Sequence, residues 1–201
     1  DNYKKYDYDW FVKFYRKVGT VSNEAMQDIW AKLLAEEISC PLTYSYKTLE
    51  ILSILTPKDA KMFENIAKWR IDALTEQFIP GDKEYLDLCE IGFNDIKLLS
   101  EYNIITLNPL LSLNVTGKDE YIRVFWSSSN MIEISVEQLS CLGRLSCYFF
   151  TFAGKELLRL VAFSKNEALE RYANIVLSKA NIEYRIRPRI TVKVETQIIT
   201  K

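Results

Sequence analysis

The most informative absence in this chain is histidine, which occurs nowhere among its 201 residues. Without imidazole, the chain has no Ser-His-Asp or Cys-His nucleophile pair, no histidine-liganded zinc and no imidazole general base. It also contains no recognisable catalytic motif. We therefore predict a protein that is not an enzyme, with no catalytic residues, no metal site and no cofactor.

Cysteine is sparse, and none of the four cysteines forms a Cys-x-x-Cys pair. Cys141 and Cys147 are close in sequence, whereas Cys40 and Cys89 are far from both. Zinc ligation by four thiolates needs closely spaced pairs, and the opening residues do not resemble a signal peptide. We therefore expect reduced, mostly buried thiols in a cytoplasmic protein.

Long apolar runs and a strong net charge are also absent. No segment approaches the roughly 18 apolar residues of a membrane span, so we predict none. Hydrophobic residues make up 48% of the chain, enough for a sizeable core, and the net charge is −1. Leu157–Lys201 is nevertheless basic, with nine Lys or Arg against four Asp or Glu. Because the chain begins at Asp1 without Met, we expect a further N-terminal region in the full protein.

Aromatic residues are concentrated at the start, where seven fall within the first fifteen positions. Trp10, Phe14 and Val18 recur at helical spacing and predict a helix over Tyr8–Val18. Two interpretations of this helix are open. It could expose its aromatic residues as a binding stripe, or it could dock them on the core, which we favour.

Three further helices are predicted in the first third of the chain. The first runs from an N-cap at Ser22 to a stop at Cys40-Pro41. The second, Thr48–Leu55, is apolar on most sides, which is typical of the centre of a bundle. Thr56-Pro57-Lys58-Asp59 then supplies an N-cap, a proline at N1 and a carboxylate at N3 for a helix that we expect to reach Thr75. The predicted core residues of these helices are Trp30, Leu33, Leu34, Leu52 and Phe63.

After Pro80-Gly81 the pattern becomes mixed. Short helices are predicted at Glu84–Ile91 and Asn94–Asn103. Later elements are strands at Leu111–Val115, Tyr121–Trp126, Met131–Val136, Cys147–Phe152 and within Ile182–Thr200, with helices at Leu157–Phe163 and Asn166–Ala180.

This order predicts an α+β fold. We expect an N-terminal helical bundle over residues 1–80, packed on a winged-helix-like unit over residues 81–201 with a β-rich C-terminal tail. One continuous domain is the alternative. Asn94–Asn103 would be the third helix of the winged-helix unit, and Tyr121–Val136 its enlarged wing.

The stretch Ser22–Ala67 resembles a known family. The matching motifs are Trp30–Ile38 (WAKLLAEEI), Thr48–Leu52 (TLEIL) and Leu55–Ala60 (LTPKDA), with a weaker match at Phe152–Leu158. They are similar to bacterial proteins of the domain-of-unknown-function 2806 type and share features with the Abi-alpha group of abortive phage infection. The resemblance implies an uncharacterised cytoplasmic bacterial protein with a role in phage defence. It carries no catalytic residues over.

Two acidic or phosphate-loop-like motifs are interpreted as structural. Glu36 and Glu37 are adjacent on a helix and point about 100° apart, so they cannot share one ligand face. We interpret them as part of a solvated helix face. Gly154-Lys155-Glu156 lacks the earlier glycine and the magnesium-binding Ser or Thr of a phosphate loop.

A basic group in the tail is the candidate nucleic-acid site. Arg185, Arg187 and Arg189 alternate, with Lys193 in the same phase, so on a strand they would line one face. The other interpretation is an exposed edge strand whose charges deter pairing, which Pro188 supports. Acidic residues in Asn94–Glu101 disfavour DNA binding by that helix. We therefore predict an interaction or sensing module with a protein partner or self-association, and nucleic-acid binding as the alternative.

Overall fold

Helices open the chain and a sheet follows, in a computed structural model that describes residues 6–73, 76–107, 121–138, 146–161 and 164–189. The helices are α1 Tyr8–Val18, α2 Glu24–Ser39, α3 Tyr46–Ile54, α4 Pro57–Ala67, α5 Lys83–Leu88, α6 Phe93–Glu101, α7 Phe152–Leu158 and α8 Asn166–Tyr172. The strands are β1 Ile71–Ala73, β2 Glu76–Pro80, β3 Tyr121–Trp126, β4 Asn130–Ser135, β5 Cys147–Phe149 and β6 Tyr184–Pro188. A 3-10 turn follows β4 at Val136–Gln138, and a π-helical turn extends α8 at Ala173–Leu177.

Local caps determine where the N-terminal helices begin. The side chains of Asn23 and Ser45 accept backbone N–H groups from the first turns of α2 and α3. Thr56 and Asp59 form the predicted capping box at the start of α4, with Pro57 at the first helical position. The predicted start of α4 is confirmed, whereas the N-cap of α2 is Asn23 rather than Ser22.

Among the described residues, six antiparallel strands form one sheet in the order β5-β2-β1-β3-β4-β6. Hairpins β1–β2 and β3–β4 supply its four central strands. β6 pairs with β4 along Tyr184–Pro188 and forms one edge among the described residues. The predicted α+β class is confirmed.

The structure does not show the winged-helix arrangement. The hairpin predicted as the wing, β3–β4, lies inside the sheet between β1 and β6. Its strands are therefore hydrogen-bonded on both sides, whereas a wing projects from the edge of its sheet. A separate N-terminal bundle is not shown either, because α3 packs against α7 from the later part of the chain as well as against α1.

Several predicted element boundaries were wrong, including the strand predicted over Cys147–Phe152, which ends at Phe149. The helix expected to reach Thr75 ends at Ala67, and Ile71 and Ala73 belong to β1 instead. The helix expected at Leu157–Phe163 begins earlier, at Phe152, where the Thr151 side chain caps it. The end of α4 was not visible in the hydrophobic spacing, because Ile71 also fits the helical pattern of that helix. The predicted strand Leu111–Val115 lies outside the described residues.

Gly154 has a packing role within α7. A Cβ at this position would lie 2.1 Å from the carbonyl oxygen of Ile104. The Thr151 backbone N–H donates to the same oxygen at 2.9 Å. The glycine therefore permits a close approach of two backbone segments rather than forming a turn before the helix.

A single hydrophobic core joins the helices to the sheet. It extends in sequence from Trp10 in α1 to Ile182 before β6, so residues from both predicted regions share it. The rings of Phe78 and Phe125 on the sheet pack edge-on against Tyr172 of α8, with centroids 5.8 and 4.9 Å away. The division at residue 80 stays a prediction.

Burial agrees with most of the residue-level expectations. Trp30, Leu33, Leu52 and Phe63 are buried, whereas Leu34 is half-buried. Three of the cysteines lie in the described ranges. Cys147 of β5 and Cys89 at the C-terminal end of α5 are buried thiols. Within these ranges no helix combines the length and apolar character needed to cross a membrane.

Replacing Trp30 by alanine should strongly destabilise the fold. Its side chain is fully buried and meets the Phe14 ring at a centroid distance of 5.4 Å. A buried Trp→Ala change costs about 3–5 kcal/mol of unfolding free energy. Urea denaturation should show this loss, whereas Tyr8→Ala, at a side chain 77% exposed, should change stability little. Equal losses in the two variants would contradict the central place of Trp30.

Candidate binding groove

An open groove runs between α2 and α4. Its walls are the first turns of these two helices, and its floor is formed by the end of α3 and by α7 with the residues after it. The cavity has a volume of about 610 Å³. We call it the α2–α4 groove; it is lined by Ala25, Met26, Asp28, Ile29, Lys32, Leu52, Leu55, Pro57, Ala60, Lys61, Phe63, Glu64, Leu157, Leu160 and Val161.

The groove is apolar below and charged at its rim. Eleven of its fifteen lining residues are apolar and four are charged. Asp28 and Lys32 lie one turn apart on the α2 wall. Lys61 and Glu64 lie on the α4 wall, with Nζ and Oε2 2.8 Å apart. Each wall therefore presents one positive and one negative group to a bound molecule.

This groove was not identified as a site from the sequence. The apolar stripe of α2 was interpreted as core, yet Ala25 is exposed and Ile29 is only half-buried. The available signal was the width of that stripe, because α2 carries more apolar positions than one packed face needs. Spacing alone could not show which of these positions the rest of the chain covers.

Near the C-terminal end of α2, the buried carboxylate of Glu37 stabilises the connection between α2 and α3. Glu37 is 2% exposed and accepts the backbone N–H groups of Leu42, Thr43 and Tyr44 at 2.6, 3.0 and 2.9 Å. Leu42 has a φ of 65°, an unfavourable value for a side-chain-bearing residue. The three hydrogen bonds stabilise this turn and offset the desolvation cost of burying the Glu37 carboxylate.

A second buried carboxylate reaches the same connection from α7. Glu156 accepts the backbone N–H and the hydroxyl of Ser45 at 2.8 and 2.9 Å, and also the hydroxyl of Thr48. Ser45 is the N-cap of α3, so the carboxylate lies at the positive end of that helix. Glu37 and Glu156 together fix α3 between α2 and α7. The interpretation of Glu37 as a solvated residue was therefore wrong.

Glu36 forms the outer part of this polar cluster. It accepts the hydroxyl of Tyr44 and the guanidinium of Arg159, whose Nε lies 2.7 Å from Oε1. Partial burial alone would raise the pKa of Glu36, but the hydrogen bonds from Tyr44 and Arg159 outweigh it and lower that pKa. In the described parts of the chain, no group of three or more Cys, Asp or Glu side chains is placed to share a metal ion.

The arginines of the tail lie on the exposed edge strand. Arg185 pairs in register with Glu133, and the Nε of Arg187 lies 3.7 Å from the Glu133 carboxylate. Arg189 donates to the carbonyl of Ser127 at 3.2 Å. Local acceptors thus engage the arginine face. Lys193 lies outside the described residues.

Helix α1 docks some of its aromatic residues on the core and exposes others. Trp10 and Phe14 are buried and stack with centroids 5.4 Å apart. Tyr8, Val12 and Tyr15 lie on the outer face, 77%, 48% and 62% exposed. The helix is docked on the core, as favoured, and it also keeps an exposed apolar stripe.

Comparison with known proteins supplies one match. A family model described as a protein of unknown function (DUF2806) matches residues 2–176, a range that includes the whole α2–α4 groove and both buried carboxylates. No curated protein and no solved structure matches the chain. The expected resemblance to this family is confirmed. Similarity to the Abi-alpha group, bacterial origin and phage defence stay predictions.

Replacing Glu156 by alanine should destabilise the protein by about 1–3 kcal/mol, since buried donors on Ser45 and Thr48 would lose their acceptor. Glu50→Ala is the matched control, because its carboxylate is 64% exposed and pairs with Lys17 at the surface. It should cost at most about 1 kcal/mol. Chemical denaturation of both variants measures the difference, and similar values would argue against an anchoring role for Glu156.

Proposed function

The chain belongs to the DUF2806 family of proteins of unknown function, and we propose that it acts as a non-enzymatic binding module. Its ligand is an amphipathic helical segment of a partner protein, held in the α2–α4 groove. The mostly apolar lining of this groove, which is partly exposed between two helices, is the observation that carries the proposal. Exposed apolar surface of this kind is typical of interaction sites.

The half-buried lining residues Ile29, Leu160 and Val161 provide apolar surface that a ligand can cover. Leu52, Leu55, Phe63 and Leu157 also line the groove. These side chains are almost completely buried in the core already. A ligand therefore meets a preformed apolar surface and need not order it, which favours affinity.

The walls favour a helix as the occupant. On α2 the lining positions are 25, 26, 28, 29 and 32, and on α4 they are 57, 60, 61, 63 and 64. Apart from Met26 and Phe63, both sets repeat at three or four residues, so each wall presents a ridge of side chains at helical spacing. Such ridges pack best into the grooves of another helix. Each wall extends over eight residues, roughly 10 Å or two helical turns.

The rim favours a segment with charges of both signs beside its apolar face. Asp28 and Lys32 on one wall, and Lys61 and Glu64 on the other, would meet flanking Lys and Glu side chains of the partner. A neutral apolar small molecule would use none of these four charged groups. Charge complementarity at the rim would orient the helix and fix its register.

An arginine placed in the groove should block the helix, and the chain offers a matched control. Ala25 and Ala31 are both exposed residues of α2, but only Ala25 lines the groove. The probe is a synthetic peptide of about 14 residues, roughly four helical turns, with leucines at i, i+3, i+4 and i+7 and flanking Lys and Glu. Ala25→Arg should weaken its binding about tenfold or more, and Ala31→Arg should leave binding unchanged.

Calorimetric titration measures these affinities, and amide chemical-shift mapping of the unsubstituted protein locates the peptide. Shifts confined to the α2 and α4 walls support the proposal. Absence of binding, equal losses in both arginine variants, or peptide shifts elsewhere would reject it. Self-association through the groove would appear as a dimer in sedimentation that Ala25→Arg dissociates, and it would also overturn the helix proposal.

Nucleic-acid binding through Arg185, Arg187 and Arg189 has weaker support, because Glu133 and the Ser127 carbonyl already engage this face. We expect labelled DNA and RNA to show no salt-dependent binding in titrations at two salt concentrations. The variant with all three arginines replaced by glutamine should behave identically. Salt-dependent binding that this variant loses would instead establish the alternative function.

A further inference from the structure

A second cavity, away from the α2–α4 groove, is lined by positive charge. It lies around Trp69, between the end of α4, the end of α5 and helix α8 with its N-cap Lys165, and its volume is about 540 Å³. We call it the Trp69 pocket. Its charged lining residues are three cations, Lys68, Lys165 and Arg171, and one carboxylate, Glu90.

Two of these cations pack on the same indole ring. The Nζ of Lys165 and the Cζ of Arg171 each lie 4.3 Å from the Trp69 ring centroid. They are therefore at most about 9 Å apart, close to the Debye length of physiological salt solution. The negative ring face stabilises each cation, but it does not cancel their mutual repulsion.

Neither cation has a carboxylate partner among the described residues. Arg171 donates to the carbonyl of Leu88 at 2.7 Å and contacts the sulfur of Cys89 at 3.8 Å. Lys68 differs from both, because the Glu64 carboxylate neutralises it at 2.9 Å. Lys165 and Arg171 thus bring two positive charges to a cavity in which Glu90 is the one carboxylate among the described lining residues, and this excess of positive charge attracts an anion.

The neighbouring thiol of Cys89 and phenol of Tyr85 add no negative charge to the pocket. Burial raises the pKa of the Cys89 thiol, although Arg171 partly offsets this effect. Burial also raises the pKa of Tyr85 well above its ordinary value. Both side chains are therefore neutral near pH 7, and among the described lining residues only Glu90 brings negative charge to the pocket.

The pocket is held rigidly by backbone contacts. The hydroxyl of Tyr85 donates to the Trp69 carbonyl at 2.7 Å, and the Lys165 N–H donates to the Lys68 carbonyl at 2.8 Å. These bonds tie the end of α4 to the segment before α8. The cations are consequently placed before any ligand arrives, which lowers the entropic cost of binding one.

We propose that the Trp69 pocket binds a small soluble molecule carrying a phosphate or carboxylate group, with Lys165 and Arg171 as the groups that contact the anion. A cavity of about 540 Å³ exceeds the size of the anionic group, so it also accepts an organic portion beside the indole. This site is separate from the α2–α4 groove and does not depend on the function proposed for it.

Titration calorimetry at constant ionic strength, with inorganic phosphate, adenosine monophosphate and acetate as three separate probes, tests this site. We expect at least one probe to bind, with Lys165→Gln and Arg171→Gln each weakening it about tenfold or more. Lys47→Gln removes an exposed lysine of α3 and should have no effect. The comparison of phosphate with acetate identifies the anion, and that with the nucleotide shows whether the organic portion contributes.

Thermal melts of the same variants separate lost binding from lost folding. Arg171→Lys, which keeps the charge, should retain part of the affinity if Arg171→Gln melts early. Failure of all three probes to bind would overturn the proposal. Binding that Lys165→Gln retains to the same extent as Lys47→Gln would also overturn it.

Discussion

The arrangement of the helices depends on two carboxylates that the fold buries. Glu37 on α2 and Glu156 on α7 accept hydrogen bonds from consecutive residues between α2 and α3. A buried carboxylate is costly unless its oxygens are fully hydrogen-bonded, and here the donors are backbone N–H groups and hydroxyls. The same bonds determine where α3 begins, and thus the floor of the α2–α4 groove.

The two candidate sites use opposite physical principles. The α2–α4 groove offers apolar surface with balanced charges, which suits a partner whose own apolar face must leave water. The Trp69 pocket offers an excess of positive charge beside an aromatic ring, which suits an anion. They are built on the two ends of α4, so one helix contributes to both.

The sheet makes the arginine-bearing strand a weaker candidate for nucleic-acid binding than its residue spacing suggested. Alternation correctly predicted that Arg185 and Arg187 share one face of a strand. It could not show that this strand pairs with β4, whose Glu133 lies opposite Arg185. Cross-strand pairing brings acid and base together, so the basic character of this edge is lower than the arginine spacing alone indicates.

Local sequence determined the features that need only a few neighbouring residues. The capping box of Thr56 and Asp59, the helical spacing of α1 and the alternation of β3 and β4 were all predictable, because their partners lie within a few residues or within one element. The family was recognisable for the same reason, since its motifs are caps and apolar stripes. The absence of histidine likewise restricted the possible chemistry through composition alone.

Tertiary structure decided what those elements bury and expose. Glu156 lies 111 positions from Ser45 in sequence, and Lys165 and Arg171 reach Trp69 from a distant helix. No spacing rule connects such residues, because their proximity follows from the packing of the whole core. The β1–β2 hairpin replaced the end of a predicted helix for the same reason, as pairing with β3 and β5 outweighed a local pattern that fitted either structure.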